Sequence, residues 1–506
     1  MTLGSFLDCD RSPEGYSSSE EERVRLSGKD VIFNQGQLFD SRSNLSFYGS
    51  ADKEPQKHGP RRCCPSFSSS QKPQRHILPY FYVLWAEVTL EKITISYAEP
   101  TSADDLSVMS VRFELDAKEK TKTERWIEQL LQLAYGKAQR QKRIKVLINP
   151  FGGKGRAKKL FDRDVKPVFT AARCMVDVQM TTHQGHAVEI AQNVNIEAYD
   201  VIAPASGDGV VHEVFNGLGK RVNAGEALAK VAVAHIPCGS GNAMSWNLYG
   251  TGSPSMAGLC IVKGLRTPLD LTSISQGDRR SLSFLSQSFG IIAESDLGTE
   301  HIRWMGSARF TYGFLVRLFG KTLYPCDLAV KVEVGDKQGV KDHYRAKSKQ
   351  KLPDAINQDK TTPVGLPPLK YGTIADPLPD NWELITHEKM GNFYAGNMSY
   401  MAPNTNFFPT ALPNDGLLDL VTVRGDISLL TALQMLTAVD NGTFLDMSDV
   451  KIQKVSGYRI IPRTAEAGHI SIDGEKVPFE PFQAEVHRGL GMVISKSRYK
   501  YEAPGV

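Results

Sequence analysis

The chain has little that would carry it out of the cell or through a membrane. It contains 7 cysteines in 506 residues. Apart from the pair Cys63–Cys64 they are scattered, with no CxxC spacing or Cys/His ligand pattern. This argues against a zinc site or a disulfide framework and fits a reducing, cytoplasmic compartment. No apolar run reaches about 18 residues, so no membrane-spanning helix is expected. The opening MTLGSFLDCDRSPEGYSSSEEE lacks a basic stretch followed by an apolar core, so it does not read as a secretory signal. The net charge is only +4, which gives no argument for a nucleic-acid partner. Neither a Walker A spacing nor a strand–GxGxxG dinucleotide fingerprint is present.

What is present is a globular composition, 41% hydrophobic and 23% charged, long enough for two or three domains. Residues 1–76 are expected to be largely disordered: 1–22 and 41–76 are rich in Ser and charge, and VRLSGKDVIF between them reads as a short hairpin. Residues 77–139 read as a β-rich extension (ILPYFYVLWAEVTL, KITISYA, VMSVRFEL) ending in the amphipathic helix TKTERWIEQLLQLAYGKA, with Trp126, Leu130, Leu131, Leu133 and Ala134 on one stripe. Strands followed by one Trp-bearing helix loosely resemble a pleckstrin-homology-like module; a small extension packed on the rest of the chain is the alternative.

From residue 140 to about 279, buried-strand patterns (RIKVLINP, MVDVQMTT, DVIAPAS, KVAVAHIPC) alternate with helical ones, predicting a parallel α/β domain. Residues 280–500 are strand-rich and predict an antiparallel β-sandwich. The Lys/Pro-rich stretch 344–380 lacks periodicity and is expected to be a mobile insertion.

Three strand-to-helix turns carry the chemistry. In INPFGGKGRAKKLF, Gly152, Gly153 and Gly155 let backbone come close to a ligand, and Lys154 and Arg156 add positive charge. In IPCGSGNAMSWNL, Gly239-Ser240-Gly241-Asn242 again offers N–H groups to an anion. At the carboxyl ends of strands in one sheet these would converge on one crevice. The remaining turn, SGDG in VIAPASGDGVVHEVFNGL, alone carries an acid, Asp208. Phosphate repels a carboxylate unless a magnesium ion or a proton-bearing nucleophile stands between them. The pattern therefore predicts phosphoryl transfer, with Asp208 accepting the proton of an attacking hydroxyl. The plainer alternative is that Asp208 only caps the helix that follows.

NPFGGKG, SGDGVVHEVFNGL and PCGSGNA resemble the three ordered motifs of the diacylglycerol-kinase catalytic domain, and within that group the sphingosine (sphingoid long-chain-base) kinases. The resemblance resumes at SFGIIAESDLGTEHIRWMGSARFTYG and ends near SIDGEKV, spanning about 140 to 500. It implies an ATP- and Mg2+-dependent kinase that phosphorylates the primary hydroxyl of sphingoid bases, with Asp208 as catalytic base. By position it implies nucleotide contacts at Asn149, Pro150, Phe151, Gly152, Gly153, Lys154 and Gly155, at Thr181, Thr182, His183, Gln184 and Gly185, and at Ser206, Gly207, Gly209 and Glu213. Further nucleotide contacts are implied at Gly239, Ser240, Gly241, Arg303, Arg309, Asp473, Gly474 and Glu475. Ser206, Gly207, Asp208 and Gly209 would meet the lipid hydroxyl, Asp296 the substrate amine, and Ser286 the same head group. Phe151 stands where the animal enzymes carry Arg, and Glu294-Ser295-Asp296 offers two acids, of which Asp296 has the better spacing to Arg303.

A sphingoid base is cationic, whereas diacylglycerol and ceramide carry no amine charge, so a carboxylate in an apolar pocket would discriminate by charge. Ile291, Ile292 and Phe310 could line the channel for the hydrocarbon chain or belong to ordinary core. RFTYGFLVRLFGKTLY, residues 309–324, is amphipathic and suits a membrane surface, a calmodulin-type partner or a buried helix with a basic edge. Cys63 and Cys64, after HGPRR, are candidates for S-palmitoylation, and peripheral membrane contact is expected. The rival readings are a ceramide or diacylglycerol kinase, an NAD kinase, and a non-catalytic membrane-lipid adaptor.

Overall fold

The structure is a computed structural model that describes residues 30–34, 37–40, 45–48, 75–89, 91–115, 117–299, 308–319, 322–349, 364–463, 468–498 and 500–506. The hairpin expected within VRLSGKDVIF is not the one observed: Asp30–Asn34 pairs with Gln37–Asp40, beyond that stretch, in a four-stranded antiparallel sheet with Leu45–Tyr48 and Arg75–Pro79, while residues 24–29 lie outside the described residues. A three-stranded antiparallel sheet follows, Val83–Val88, Lys92–Ser102 and Asp105–Glu114. The helix Lys120–Tyr135 then buries Trp126, Ile127, Leu130, Leu131 and Ala134. Leu133, expected on that stripe, is 52% exposed; at 3.6 residues per turn it falls on the flank of the face that Leu130, Leu131 and Ala134 define.

This module is fastened to the helix Pro254–Lys263. Ser255 donates to Asp105 at 2.6 Å, and Lys263 is buried, donating to the carbonyls of Val83 and of Ala134. With no carboxylate among these partners, burial holds the Lys263 ammonium well below its ordinary pKa.

The strands Met175–Met180, Arg143–Ile148, Val201–Ser206, Ala232–Val233 and Ile236–Pro237 are parallel, with Val201 opposite Ile144 and Ala205 opposite both Ile148 and Ile236. Val201–Ser206 is buried throughout, because helices cover both faces of a parallel sheet. Parallel strands end on the same edge, so the turns after Ile148, Met180, Ser206 and Pro237 lie side by side.

The β-rich part is continuous with the parallel sheet. The closing strand Phe482–Ser495 pairs in parallel with Ala232–Val233, and antiparallel with Leu265–Gln276 and Val450–Pro462, so one 16-stranded sheet runs through both halves. The β half has its own core of Phe289, Phe393, Tyr458, Phe482 and neighbours.

The expected mobile insertion is corrected in part. Residues 344–348 end the helix Lys337–Ser348, and 350–363 lie outside the described residues. Beyond them the chain is pinned to the sheet. Lys370 and Tyr371 donate backbone N–H to Glu485, both at 2.8 Å, Gln483 donates to the carbonyls of Tyr371 and Gly372, and Arg459 donates to those of Thr373 and Asp376. Polar side chains on distant strands hold an aperiodic segment, which no local pattern could announce.

Candidate active site

The first and third glycine turns are built by touching each other. Gly153 has φ +58°, and a β-carbon there would stand 2.7 Å from the Cys238 carbonyl oxygen. A β-carbon on Gly239 would stand 2.5 Å from the Gly207 Cα. These glycines are required by the approach of backbone to backbone. Asn149 shapes the first turn, its Oδ1 accepting from the Phe151 N–H at 2.9 Å, and Gly155 N–H closes the turn on the Gly152 carbonyl at 3.0 Å. Pro150 lies within this turn, Lys154 is exposed, and Phe151 is 75% exposed. In the third turn Asn242 holds φ +55° and brackets Gly239, accepting from its N–H at 2.8 Å and donating to its carbonyl at 3.0 Å. Ser240 is exposed on the rim.

Asp208 opens the helix Asp208–Gly219, whose N-cap is Gly207. Its carboxylate makes no cap on the helix that follows, as the plainer alternative had it, but caps a different helix. Its Oδ2 accepts from Ala243 N–H at 2.9 Å and its Oδ1 from Met244 N–H at 3.0 Å, so it holds the start of the helix Ala243–Tyr249. Oδ2 also lies 3.5 Å from where a Gly241 β-carbon would be, and that position is 3.4 Å from the Met401 carbonyl oxygen. The carboxylate therefore sits where the second and third turns meet the β half. Ser206 beside it is buried, its hydroxyl donating to the Gly207 carbonyl at 2.8 Å.

Glu213, further along the same helix, does the equivalent for the turn 181–185. It accepts from Gly185 N–H and Ala187 N–H, both at 3.0 Å, at the start of the helix His186–Asn193. In that turn Thr181 is buried, and the Thr182 hydroxyl lies 3.0 Å from Nδ1 of His183 and 3.1 Å from Nδ1 of His186. A cavity of about 320 Å³ opens here, lined by Gln184, Gly185, His212, Glu213, Arg279, Glu475 and Lys476 among others. Glu475 also crowds Gly209, where a β-carbon would stand 2.5 Å from its Oε1.

Asp473 builds the site from within instead of facing the cavity. It sits at φ +55° in the hairpin joining Ile470–Ile472 to Glu475–Val477, followed by Gly474 at φ +85°. Its buried carboxylate accepts from the Ser283 hydroxyl at 2.6 Å, from the N–H groups of Phe284, Leu285 and Ser286 at 3.0, 2.9 and 3.0 Å, and from His212 Nδ1 at 2.8 Å. Burial pulls the His212 imidazole down, but the hydrogen bond and charge of Asp473, with Glu475 and Glu213 behind, carry it above its ordinary pKa.

Of the residues expected to meet the lipid, Ser286 is buried on the strand Ser286–Gly290, and Asp296 lies on the helix Ile291–Leu297. Ser471 donates to Asp296 at 3.4 Å. The Tyr394 phenol is pushed up, by burial first; a hydrogen bond with Ser286 opposes the shift, and the charges of Asp296 and Asp473 add to it. Those four groups thus share one neighbourhood. Glu294 is directed elsewhere: it meets His469 Nδ1 at 2.9 Å and Arg317 at 3.2 Å.

An apolar cavity of about 70 Å³ adjoins, lined by Ile291, Ile292, Phe314, Phe407, Met435 and Leu436 with others. The helix Ala308–Phe319 carries Arg309 and Phe310, whose side chains, like Arg303, Cys63 and Cys64, lie outside the described residues. That helix packs closely, since a β-carbon on Gly313 would stand 2.6 Å from Thr299.

Comparison with known proteins adds the family. Residues 143–274 match the diacylglycerol kinase catalytic domain, 386–494 the YegS C-terminal NAD kinase beta sandwich-like domain, and 43–136 a domain of unknown function. The chain is 35% identical over 422 residues to sphingoid long chain base kinase 4 of Schizosaccharomyces pombe, covering 83% of this chain and 88% of that protein. The chain belongs to the sphingoid long-chain-base kinase family. It is also 37% identical to sphingoid long chain base kinase 5 of Saccharomyces cerevisiae, over 71% of this chain and 60% of that protein, so it spans less than two thirds of that relative. Sphingosine kinase 1 of Arabidopsis thaliana is 32% identical over 66% of this chain and 68% of its own.

Sequence reasoning missed His212, Arg279, Tyr394, Lys476 and His235. His212 was findable from its place beside Glu213 in the Asp208 motif. Arg279, Tyr394 and Lys476 reach the site from strands and His235 from between two short strands, with no local pattern that marks a site.

Proposed function

We propose that the protein transfers the γ-phosphoryl group of ATP to the primary hydroxyl of a sphingoid long-chain base. The observation that carries this is the place of Asp208, at the contact of two glycine turns, with a polar cavity beside its helix and an apolar cavity beyond Asp296. N–H groups of the turns receive the nucleotide phosphates, where anions are favoured by the helix starts. Asp208 accepts the lipid hydroxyl proton as that oxygen attacks phosphorus.

Among the described residues no group of three or more His, Cys, Asp or Glu could hold a metal. Magnesium therefore comes with the nucleotide, as is usual for an ion that keeps its waters and phosphate ligands, and supplies charge neutralisation there.

Asp296, among the Ser471 hydroxyl and the Tyr394–Ser286 pair, receives the substrate ammonium. That feature favours a sphingoid base over ceramide or diacylglycerol. The apolar cavity offers the hydrocarbon chain of the base a lining that includes Ile291, Ile292, Phe314 and Met435. No helix among the described residues is long and apolar enough to cross a membrane. Lipid uptake is by peripheral contact, through Tyr312 and Val316 on one wall helix and Leu429, Leu430 and Leu433 on another, all exposed. Acyl chains on Cys63 and Cys64 would strengthen that contact. A calmodulin-type partner at 309–324 would have to displace the packing of Gly313 and the Arg317–Glu294 pair.

The test is transfer of labelled phosphate from ATP to a panel of sphingoid bases, ceramide, diacylglycerol and NAD. Phosphorylation of the sphingoid bases is the expected result. Preferential labelling of a neutral lipid or of NAD would refute the assignment.

A further inference from the structure

His235 is fully buried between the short strands Ala232–Val233 and Ile236–Pro237, directly behind the reacting carboxylate. Its Nε2 lies 3.0 Å from the Ser206 carbonyl oxygen. A carbonyl can only accept, so Nε2 carries the hydrogen and Nδ1 keeps its lone pair. That Nδ1 has no hydrogen-bond partner and faces Asp208 Oδ1 at 3.7 Å. Burial pulls the imidazole below its ordinary pKa, with the Asp208 charge and the Ser206 bond opposing, so the ring is neutral at neutral pH. The other group facing it, the Tyr249 hydroxyl, meets its backbone N–H at 3.4 Å.

Two acceptors thus face one another with nothing between them. A buried polar atom without a partner is costly, and it persists where function needs it. The missing element is one proton. We propose that His235 is a positioning residue for phosphoryl transfer: its Nδ1 accepts a hydrogen bond from Asp208 once Asp208 has taken the proton of the lipid hydroxyl.

The step balances as follows. The substrate O–H bond breaks and its proton goes to Asp208 Oδ1. The freed oxygen pair forms the new bond to the γ-phosphorus, and the bond from that phosphorus to the bridging oxygen breaks, leaving ADP with the electron pair. The protonated carboxyl then donates to Nδ1 after a closure of about 1 Å, to ordinary hydrogen-bond length. The proton returns to solvent when products leave. Because this bond forms as the proton moves onto Asp208, it is present in part in the transition state and absent from the ground state, so it acts on kcat and not on KM.

This rests on Asp208 being the base, and the variants separate the two ideas. His235→Gln places an amide N–H near the Nε2 position. It keeps the Ser206 bond and loses the acceptor aimed at Asp208. His235→Asn places an amide oxygen near Nδ1, keeps the acceptor, and cannot reach Ser206. We expect His235→Gln to melt like wild type, with kcat about three- to tenfold lower and both KM values unchanged. His235→Asn should be less stable yet turn over faster than His235→Gln. In an Asp208→Asn background, His235→Gln should have no further effect. Wild-type kcat in His235→Gln, or an equal or larger kcat loss in His235→Asn, overturns the inference and leaves His235 as packing.

Should His235→Gln lose its cooperative melt, the comparison is read between His235→Asn and His235→Ala. Both lack the Ser206 bond, and equal kcat values overturn the inference. Asp208→Asn is measured alongside. Wild-type turnover in that variant removes the base itself, whereas loss of turnover there with none in His235→Gln removes only the role given to His235.

Discussion

The two ends of the site are made of different material. The nucleotide end is backbone: glycine turns in contact, with Asp208 and Glu213 on one helix each holding the start of a neighbouring helix. The proposed lipid end is side chain: Ser286, Asp296 and Tyr394 come from separated elements, and the Ser286 backbone is held by the buried Asp473 carboxylate, which accepts five hydrogen bonds. On the proposed function, backbone geometry would grip any phosphate, while side-chain charge would choose among lipids. The nucleotide end should therefore fail all substrates alike, and the lipid end should fail them selectively.

The largest effect expected is from Asp208→Asn. Loss of a general base lowers rate by about 10²–10⁴-fold. Turnover should fall by that much for every lipid, with ATP affinity largely kept. Single-turnover kinetics beside a nucleotide-binding isotherm check it, and activity within a few-fold of wild type would remove the assigned role.

Gly239→Val comes next. Its first added carbon would stand 2.5 Å from the Gly207 Cα, so backbone must shift. Loss of ATP binding should come with a lower melting temperature. Weakened ATP binding at an unchanged melting temperature would show that this glycine faces phosphate alone.

Asp473→Ala probes the scaffold of the lipid end. Removing a buried carboxylate that holds His212 and four other donors should cost about 3–5 kcal/mol in a denaturant titration. A cost below about 1 kcal/mol would mean that the network is dispensable.

The smallest effect is the pH response of His212. Its folded pKa lies above the ordinary 6.5, so the native state binds its proton more tightly than the unfolded chain. The stabilisation is full below about 6.5 and is lost as pH rises through the folded value. Between neutral pH and mild alkali, His212→Gln should show a flatter melting temperature than wild type. Parallel curves would contradict the Asp473 pairing.

The nucleotide end was legible because its signals are local. NPFGGKG, SGDG and PCGSGN each place glycines, a strand end and a helix start within a dozen residues, and the parallel sheet supplies their alignment. The lipid end was legible only in part. Asp296 came from the family resemblance and its spacing to Arg303, and the pairing of Glu294 with His469 and Arg317 became visible only in the fold. Nothing near Asp473 reveals that it binds backbone 187 residues or more away. Likewise, the pinning of 370–376 depends on Arg459, Gln483 and Glu485, so an aperiodic stretch was misread as mobile.

Asp296→Asn tests the division most directly. It keeps the side chain's shape and removes the charge that would meet a buried ammonium, a contact worth about 1.5–3 kcal/mol, or roughly ten- to a hundredfold. The quantity to measure is the ratio of kcat/KM for a sphingoid base to kcat/KM for a neutral lipid, because damage common to both cancels. That ratio should fall at least tenfold in Asp296→Asn and stay constant in Asp208→Asn. An unchanged ratio in Asp296→Asn would place amine recognition elsewhere and contradict the division between the two ends.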